Sequence, residues 1–532
     1  MSKTDDFRAR IKEAYTFKGP SFVLGGAMLG EETLTDALVK IPLGTLNRHG
    51  LIAGATGTGK TKTLQIIAEQ LSRVGVPSLL MDIKGDLSGV AKESPGHPKI
   101  DERHAAIGID FEAGGSPVEF LTLSNEPGAR LRATVAEFGP VLFSKMLDLN
   151  DTQSGIVAVA FRYADENKLP LLDLKDFRKI LQYMTGDGKE EVQNDYGRIS
   201  TASTGAIMRR IVELETQGAE EFFGEPSFDV DDLTRIDELG RGIISVLRLT
   251  DVQDRPKLFS TFMLQMLAEV YATFPEEGDL DQPKLVIFID EAHLIFEEAT
   301  DALLDQLEAI IKLIRSKGVG IFFVTQNPAD IPSDILGQLG LKVQHALRAF
   351  TAKDRKAIKL ASENYPLTDY YDIDQTLTEL GTGEAFVTAL DRKGRPTELV
   401  RTLLRAPASR MDVLTDKELK DIVKNSPLAK KYNQSVDRES AYEILEAKMA
   451  AAAEAEHKAE MEAQREKARN TSTGRRRSRK AEQSTFDKVL NSTTTRQIGR
   501  TVAREVTRGL LGILGISTTR RRRSRSRKSS WW

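Results

Sequence analysis

Eight residues, GATGTGKT at 54–61, constrain this chain more than any other stretch. They fit the pattern G-x-x-x-x-G-K-[ST] at every position. The apolar run Leu51–Ala53 precedes them, and a run with helical spacing, Thr61–Leu71, follows. A strand, a glycine-rich loop and a helix in that order make a phosphate cradle. Glycine permits the backbone angles that turn successive N–H groups toward one anion, and the helix amino terminus adds its positive dipole end. On this reading Gly54, Ala55, Thr56, Gly57, Thr58, Gly59, Lys60 and Thr61 hold the phosphates of ATP. Lys60 meets the β- and γ-phosphates, and the Thr61 hydroxyl ligates Mg²⁺. The competing reading is a glycine-rich turn that binds nothing, and the flanking strand and helix count against it.

At 532 residues the chain is too long for one core, so two or more folded units plus tails are expected. It has no cysteine, which excludes disulfides and thiolate metal sites and suits a cytoplasmic protein. Six histidines leave little for a histidine-rich metal centre. No stretch reaches the ~18 apolar residues of a membrane span, and MSKTDDFRAR lacks the apolar segment of a secretory signal. The formal net charge of −3 hides an asymmetry. Residues 471–532 hold 17 Lys/Arg against 3 Asp/Glu, a net +14, whereas residues 1–470 hold 58 against 75, a net −17. An acidic body with a basic tail points to a polyanionic partner for the tail.

The pattern divides the chain into six stretches. Residues 1–45 form an N-terminal lead: a short helix, then a mixed segment with the turn-rich GGAMLGEE. Residues 46–124 are the first part of a nucleotide-binding core, with a second buried strand at Ser78–Met81 that ends in Asp82. Residues 125–235 read as a mainly helical insertion, because Leu131–Leu147, Gln153–Glu166, Leu174–Met184 and Ser203–Gln217 have helical spacing. Residues 236–410 resume the core. Strands are expected at Ile243–Leu247, Leu285–Ile289, Ile321–Thr325, Val343–Leu347 and Ala385–Ala389, with helices at Leu258–Phe274, Thr300–Ser316 and Ala352–Ser362. This alternation predicts an α/β fold with a mostly parallel sheet covered on both faces. Residues 411–470 are a charged helical extension, with one exposed or coiled helix over Ser435–Arg469. Residues 471–532 are a basic tail, partly disordered, with a further helix at Phe486–Ile516.

KLVIFIDEAH at 284–293 is a buried strand that ends in two carboxylates. Ligands of open α/β sheets sit at the carboxyl ends of the strands, so Asp290 and Glu291 emerge beside the phosphates. Asp290 would hold Mg²⁺ directly or through water, and Glu291 would orient and deprotonate the attacking water. The bland alternative is a strand ending in a solvated acidic turn. FFVTQNP at 322–328 ends another strand in Thr325 and Gln326. A neutral polar group there can sense the γ-phosphate, and Gln326 is favoured over Thr325, with strand-end capping as the alternative. Positive charge that meets the transition state must also be supplied. Arg315 and Arg348 are the candidates, each as readily explained as a surface ion pair. Asp82, Lys84 and Asp86 either position water or form a solvated turn.

These residues, with the segments NRHGLIAGATGTGKT, MDIKGDLSG, STASTGAIMRR, FFGEP, IDEAHLIF, LIRSKGVGIFFVTQNPADIP, GQLGLKVQHALRAFT and LGTGEAF, resemble the HerA–FtsK superfamily of ring-forming P-loop motors, in the HerA-like branch typified by the bacterial YjgR proteins. The resemblance spans about residues 45–405. It implies a RecA-like ATPase core, Mg²⁺-dependent ATP hydrolysis and a homo-hexameric ring around a pore. By position, Lys60 and Thr61 take the phosphate-loop roles, Asp290 and Glu291 the acidic-strand roles, Gln326 the sensor role and Arg315 the place of an arginine acting on a neighbouring subunit. Archaeal HerA motors carry a small β-barrel before this domain. About 50 residues precede Gly54 here, too few for that barrel in full.

In the tail, Ile498, Val502, Val506 and Leu510 recur every four residues, as do Arg496, Arg500, Arg504 and Arg508. The two sets are offset by about 200° on a helix and form opposite stripes. RRRRSRSRK at 520–528 places seven cations in nine residues. If all met phosphates, binding would fall with a log–log salt slope of about −6. Trp531 and Trp532 could stack on bases, while GLLGILG at 509–515 beside arginines suits an anionic membrane, and a solubilising tail is the plain alternative. Three functions therefore compete: a motor on DNA, a nucleotide-gated assembly or scaffold ATPase with a protein partner, and a motor on protein or membrane cargo. The motor on DNA ranks first.

Overall fold

The computed structural model describes residues 2–251, 255–278, 280–297 and 301–472. The tail readings, from GRRRSRK through the arginine stripe to Trp532, lie outside the described residues.

One sheet of twelve strands organises the described residues. In chain order these are β1 (Ser21–Leu29), β2 (Glu32–Pro42), β3 (Gly50–Ala53), β4 (Ser78–Asp82), β5 (Val118–Thr122), β6 (Ala129–Arg130), β7 (Ile244–Arg248), β8 (Leu285–Ile289), β9 (Val319–Thr325), β10 (Leu341–Gln344), β11 (Glu384–Thr388) and β12 (Val400–Leu404). Their spatial order is β2-β1-β12-β11-β10-β3-β9-β8-β4-β7-β5-β6. From β10 to β6 every pairing is parallel, so eight carboxyl ends share one edge. From β10 to β2 every pairing is antiparallel.

The central strands β3, β9, β8 and β4 are buried on both faces, which is why they read as largely apolar runs. Side chains still alternate between two cores. Leu285, Ile287 and Ile289 of β8 enter one core, with the helices Asp151–Glu166, Leu174–Thr185 and Pro256–Thr273. Val286 and Phe288 enter the other, with Leu64, Ile67 and Leu71 of the helix Lys60–Arg73 and with Phe7 and Ile11 of the helix Lys3–Ala14.

The antiparallel part departs from the sequence reading. GGAMLGEE at 25–32, read as turn-rich, instead continues the strand Ser21–Leu29 and starts the next at Glu32, with the turn confined to Gly30, at φ +61°, and Glu31. Gly25 serves close approach: a Cβ there would lie 2.1 Å from the Leu403 carbonyl of β12. Leu131–Leu147, read as one helix, begins at Val135 behind a Thr134/Glu137 capping box and is kinked at Gly139–Pro140. The extension is anchored before it becomes exposed. Ala441 and Leu445, at the start of the helix Ala441–Ser472, are buried in the same core as Phe177 of the helix Leu174–Thr185, and residues 450–465 are exposed.

Candidate functional site

The phosphate loop leaves the carboxyl end of β3 and is held from both sides. Gly54 N–H donates to the Thr325 carbonyl at the end of β9 (3.2 Å), and Ala55 N–H donates to the Ala346 carbonyl just past β10 (2.8 Å). Gly54 has φ +151°, and a Cβ there would lie 2.5 Å from the Cβ of His345. Gly57, at φ +78°, faces open space. The Thr58 hydroxyl donates to the Ala55 carbonyl (2.7 Å), and the Thr58 carbonyl accepts from Gly383 N–H (3.0 Å). The helix Lys60–Arg73 starts from Gly59 with no side-chain cap, which leaves its first N–H groups for an anion. Lys60 is buried and donates to the carbonyls of Gly54 (2.6 Å) and Ala55 (3.2 Å). Burial, then the neighbouring Lys84, hold its ammonium below the ordinary lysine range. Thr61 occupies the second position of this helix.

Two strands away from β3, β8 delivers Asp290 and Glu291, both buried. Asp290 is pushed up to about 7, by burial first and by Glu291 second, with Lys84 opposing. Its Oδ2 has no hydrogen-bond partner among the described residues. A buried, unpartnered carboxylate oxygen beside a phosphate loop fits a divalent cation or its water. No group of three or more His, Asp or Glu among the described residues could hold a metal by itself. Glu291 takes the uncommon φ of +47°. Its carboxylate sits in ion-pair contact with Lys84 and 3.1 Å from His293 Nδ1, although neither of its oxygens has an aligned hydrogen bond.

The KGD loop after β4 splits into two roles. Asp82 is buried and accepts from the backbone N–H groups of Gly85 (2.7 Å), Asp86 (3.1 Å) and Leu87 (3.1 Å), so it shapes the loop. Lys84, at the loop's turn, reaches Glu291. Burial works to lower its ammonium, but Glu291, Asp290 and Asp86 together hold it above the ordinary lysine value.

Gln326 is exposed past β9, and its Oε1 is 3.4 Å from the Thr56 hydroxyl of the phosphate loop. Thr325 is committed elsewhere, since its hydroxyl donates to Asp330 Oδ2 at 2.6 Å. The two arginines separate by sheet polarity. Arg348 follows β10, on the phosphate-loop side, and donates to the Thr378 carbonyl (2.9 Å). Arg315 precedes β9, at the opposite end of the strands, and is exposed. Within one chain the structure does not bring Arg315 to the phosphate loop.

Two residues escaped the sequence reading. His345 is fully buried against Gly54, and its Nε2 lies 2.8 Å from the Thr63 hydroxyl. Burial first, then Lys60, bring it down to about 3, so it stays neutral. Arg103 donates to the carbonyls of Gly383, Leu404 (both 3.1 Å) and Thr382 (3.1 Å) and so fixes the turn that holds Thr58. Neither lies in a motif of its own, and only the pairing of β10 with β3 and the fold of 380–404 give them partners.

Comparison with known proteins follows this geometry. The DNA double-strand break repair helicase HerA of Sulfolobus acidocaldarius is 23% identical over 380 residues, 69% of this chain and 67% of the relative. The protein of the same name from Saccharolobus solfataricus is 22% identical over 401 residues, 71% of this chain and 67% of the relative. Among solved structures, the bacterial conjugative coupling protein TrwB is similar over 76% of this chain and 94% of its own, at 14% identity and a TM-score of 0.48. VirB4 of Thermoanaerobacter pseudethanolicus is similar over 73% of this chain and 97% of its own, at 15% identity and a TM-score of 0.45. The family described as Helicase HerA-like C-terminal matches residues 28–522, and this chain belongs to it.

Proposed function

We propose that this chain is a Mg²⁺-dependent ATP hydrolase that drives movement along DNA as a ring of identical copies, six by its resemblance. The carrying observation is the meeting of Lys60, Asp290, Glu291 and Gln326 at one sheet edge, with Asp290 Oδ2 buried and unpartnered. DNA enters the reading through the named function of the HerA relatives and the charge of the tail.

Each residue has a task that its environment fits. Lys60 releases the carbonyls of Gly54 and Ala55 and binds the β/γ-phosphates, while Gly57 presents an N–H with no side chain in the way. Thr61 and Asp290 would hold Mg²⁺, which when bound neutralises charge on the β- and γ-phosphates. Glu291 orients water and takes its proton once its carboxylate turns from Lys84. Gln326 reads the γ-phosphate and passes its loss to Thr56 and the β9 turn. Arg348 serves the site of its own chain, and Arg315 that of a neighbour. Among the described residues no helix is long and apolar enough to cross a membrane. The basic residues 471–532 gather DNA, or in the second reading an anionic membrane or protein partner.

The test is steady-state ATP hydrolysis by the full chain with and without duplex DNA, with Lys60→Ala as the inactive control. Stimulation by DNA is expected. Slow turnover that DNA leaves unchanged would move the assignment to a nucleotide-gated assembly ATPase.

A further inference from the structure

The surface next to the nucleotide site on the β10 side carries positive charge that hydrolysis does not use. Lys353, Arg355, Lys356 and Lys359 all lie exposed on the helix Ala352–Ser362. Arg355, Lys356 and Lys359 have no ion-pair or hydrogen-bond partner for their side chains among the described residues, and Lys353 lies near Asp354 without a hydrogen bond to it. The one acidic residue within the helix, Asp354, is spent on its amino terminus, accepting from the N–H groups of Phe350 (2.9 Å) and Thr351 (2.8 Å). Several other cations of the acidic body are paired, as in Arg401 with Glu384 (2.8 Å), Arg235 with Glu119 (2.8 Å) and Arg410 with Glu418 (2.7 Å). Four exposed cations within seven residues, with one carboxylate among them, make a locally positive surface on a body of net charge −17. Phe350, at the entry to the helix, is 87% exposed. The opposite face is packed, with Ile358 and Ala361 joining Leu347, Leu377 and Phe386 in a small third core. The cations thus face outward from a fixed support.

This helix touches the hydrolytic machinery by two routes. Along the chain it follows β10 directly, where Ala346 holds Ala55 of the phosphate loop. In space it packs against the Pro328–Asp330 turn. Asp330 of that turn accepts from Thr325 Oγ1 (2.6 Å) and Asn327 N–H (3.1 Å), the two neighbours of Gln326.

We propose that the helix Ala352–Ser362, with Phe350 at its entry, is the surface on which the DNA phosphate backbone lies, and that contact there reaches Gln326 through the Pro328–Asp330 turn. The inference rests on the DNA-motor reading. A row of phosphates is the partner that exposed cations without a sequence-reading motif fit, and an exposed aromatic ring beside them can pack on a deoxyribose of the same backbone.

The experiment uses the full chain and the variant Lys353→Gln/Arg355→Gln/Lys356→Gln/Lys359→Gln, none of whose altered residues belongs to the nucleotide site. Duplex DNA binding is measured from about 50 to 200 mM salt, together with hydrolysis with and without DNA. Acetylation of Lys353, Lys356 and Lys359 is followed by mass spectrometry in the unaltered chain. The variant is expected to keep its DNA-free hydrolysis and lose its stimulation, with a log–log salt slope shallower by about 3 to 4. DNA is expected to protect the three lysines. If the unaltered chain is stimulated by DNA while the variant keeps both slope and stimulation and the lysines stay reactive, this surface is overturned and the motor reading stands. If the unaltered chain neither binds DNA nor responds to it, the motor reading falls and takes this inference with it.

Discussion

Asp290 should destabilise the protein that depends on it. In the folded chain its carboxyl is raised from 3.8 to about 7, chiefly by burial. The folded state therefore holds the proton more tightly than the unfolded chain does. Stability is fully present below about pH 4, falls as pH rises toward 7, and carries the whole penalty above that. A rise of this size corresponds to about 4 kcal/mol. Asp290→Asn keeps the shape and removes the charge. Without nucleotide or divalent cation, the variant should match the unaltered chain near pH 4 and be more stable at pH 8.5 by up to about 4 kcal/mol, a few degrees in Tm for a chain of this size. Hydrolysis should nonetheless be lost, and Mg²⁺ with ATP should raise the Tm of the unaltered chain more than that of the variant. Thermal melts across pH decide the matter. A variant no more stable than the unaltered chain at pH 8.5, or one that differs equally at both pH values, would refute an uncompensated buried charge at this position.

Gly54→Ala should cost about 3 kcal/mol, from a disfavoured φ and overlap with His345, whereas Gly57→Ala should cost about 1 kcal/mol and act mainly on nucleotide affinity; denaturation and binding of a fluorescent ADP separate the two. Lys84→Met leaves Asp290 and Glu291 facing each other, so the acid limb of the pH–rate profile should move to higher pH, and an unmoved limb would count against Lys84 as their counter-ion. Arg315→Ala and Lys60→Ala should each be inactive alone, yet mixing them in equal amounts should restore about a quarter of the sites if each copy lends Arg315 to its neighbour. No recovery on mixing would remove that role.

What could be read from the sequence follows from how locally each element is specified. KLVIFIDEAH is legible because a parallel strand buried on both faces needs an unbroken apolar run. GATGTGKT is legible because its chemistry needs adjacent residues. β1 was hidden, since Gly25 is there for Leu403, a residue 378 positions away. β5 was hidden too: Glu119, its second residue, is made tolerable by Arg235 and Ser426, which no local window contains. His345 has meaning only through the pairing of Val343 with Ile52. Arg315 and Arg348 look alike as residues beside strands, and the direction of β9 and β10 is what sets them apart.

That direction has a consequence for assembly. The phosphate loop sits where the parallel strands end and Arg315 sits where β9 begins, so under the proposed role of Arg315 the chain has a giving end and a receiving end. A two-fold pair joins a surface to its own copy and leaves opposite ends unmatched, while a head-to-tail row joins unlike ends at each step. An open row always has one copy whose receiving end is empty, and closure alone makes the count of complete sites equal to the count of chains. Turnover per chain would then climb with protein concentration and level off once the circle shuts.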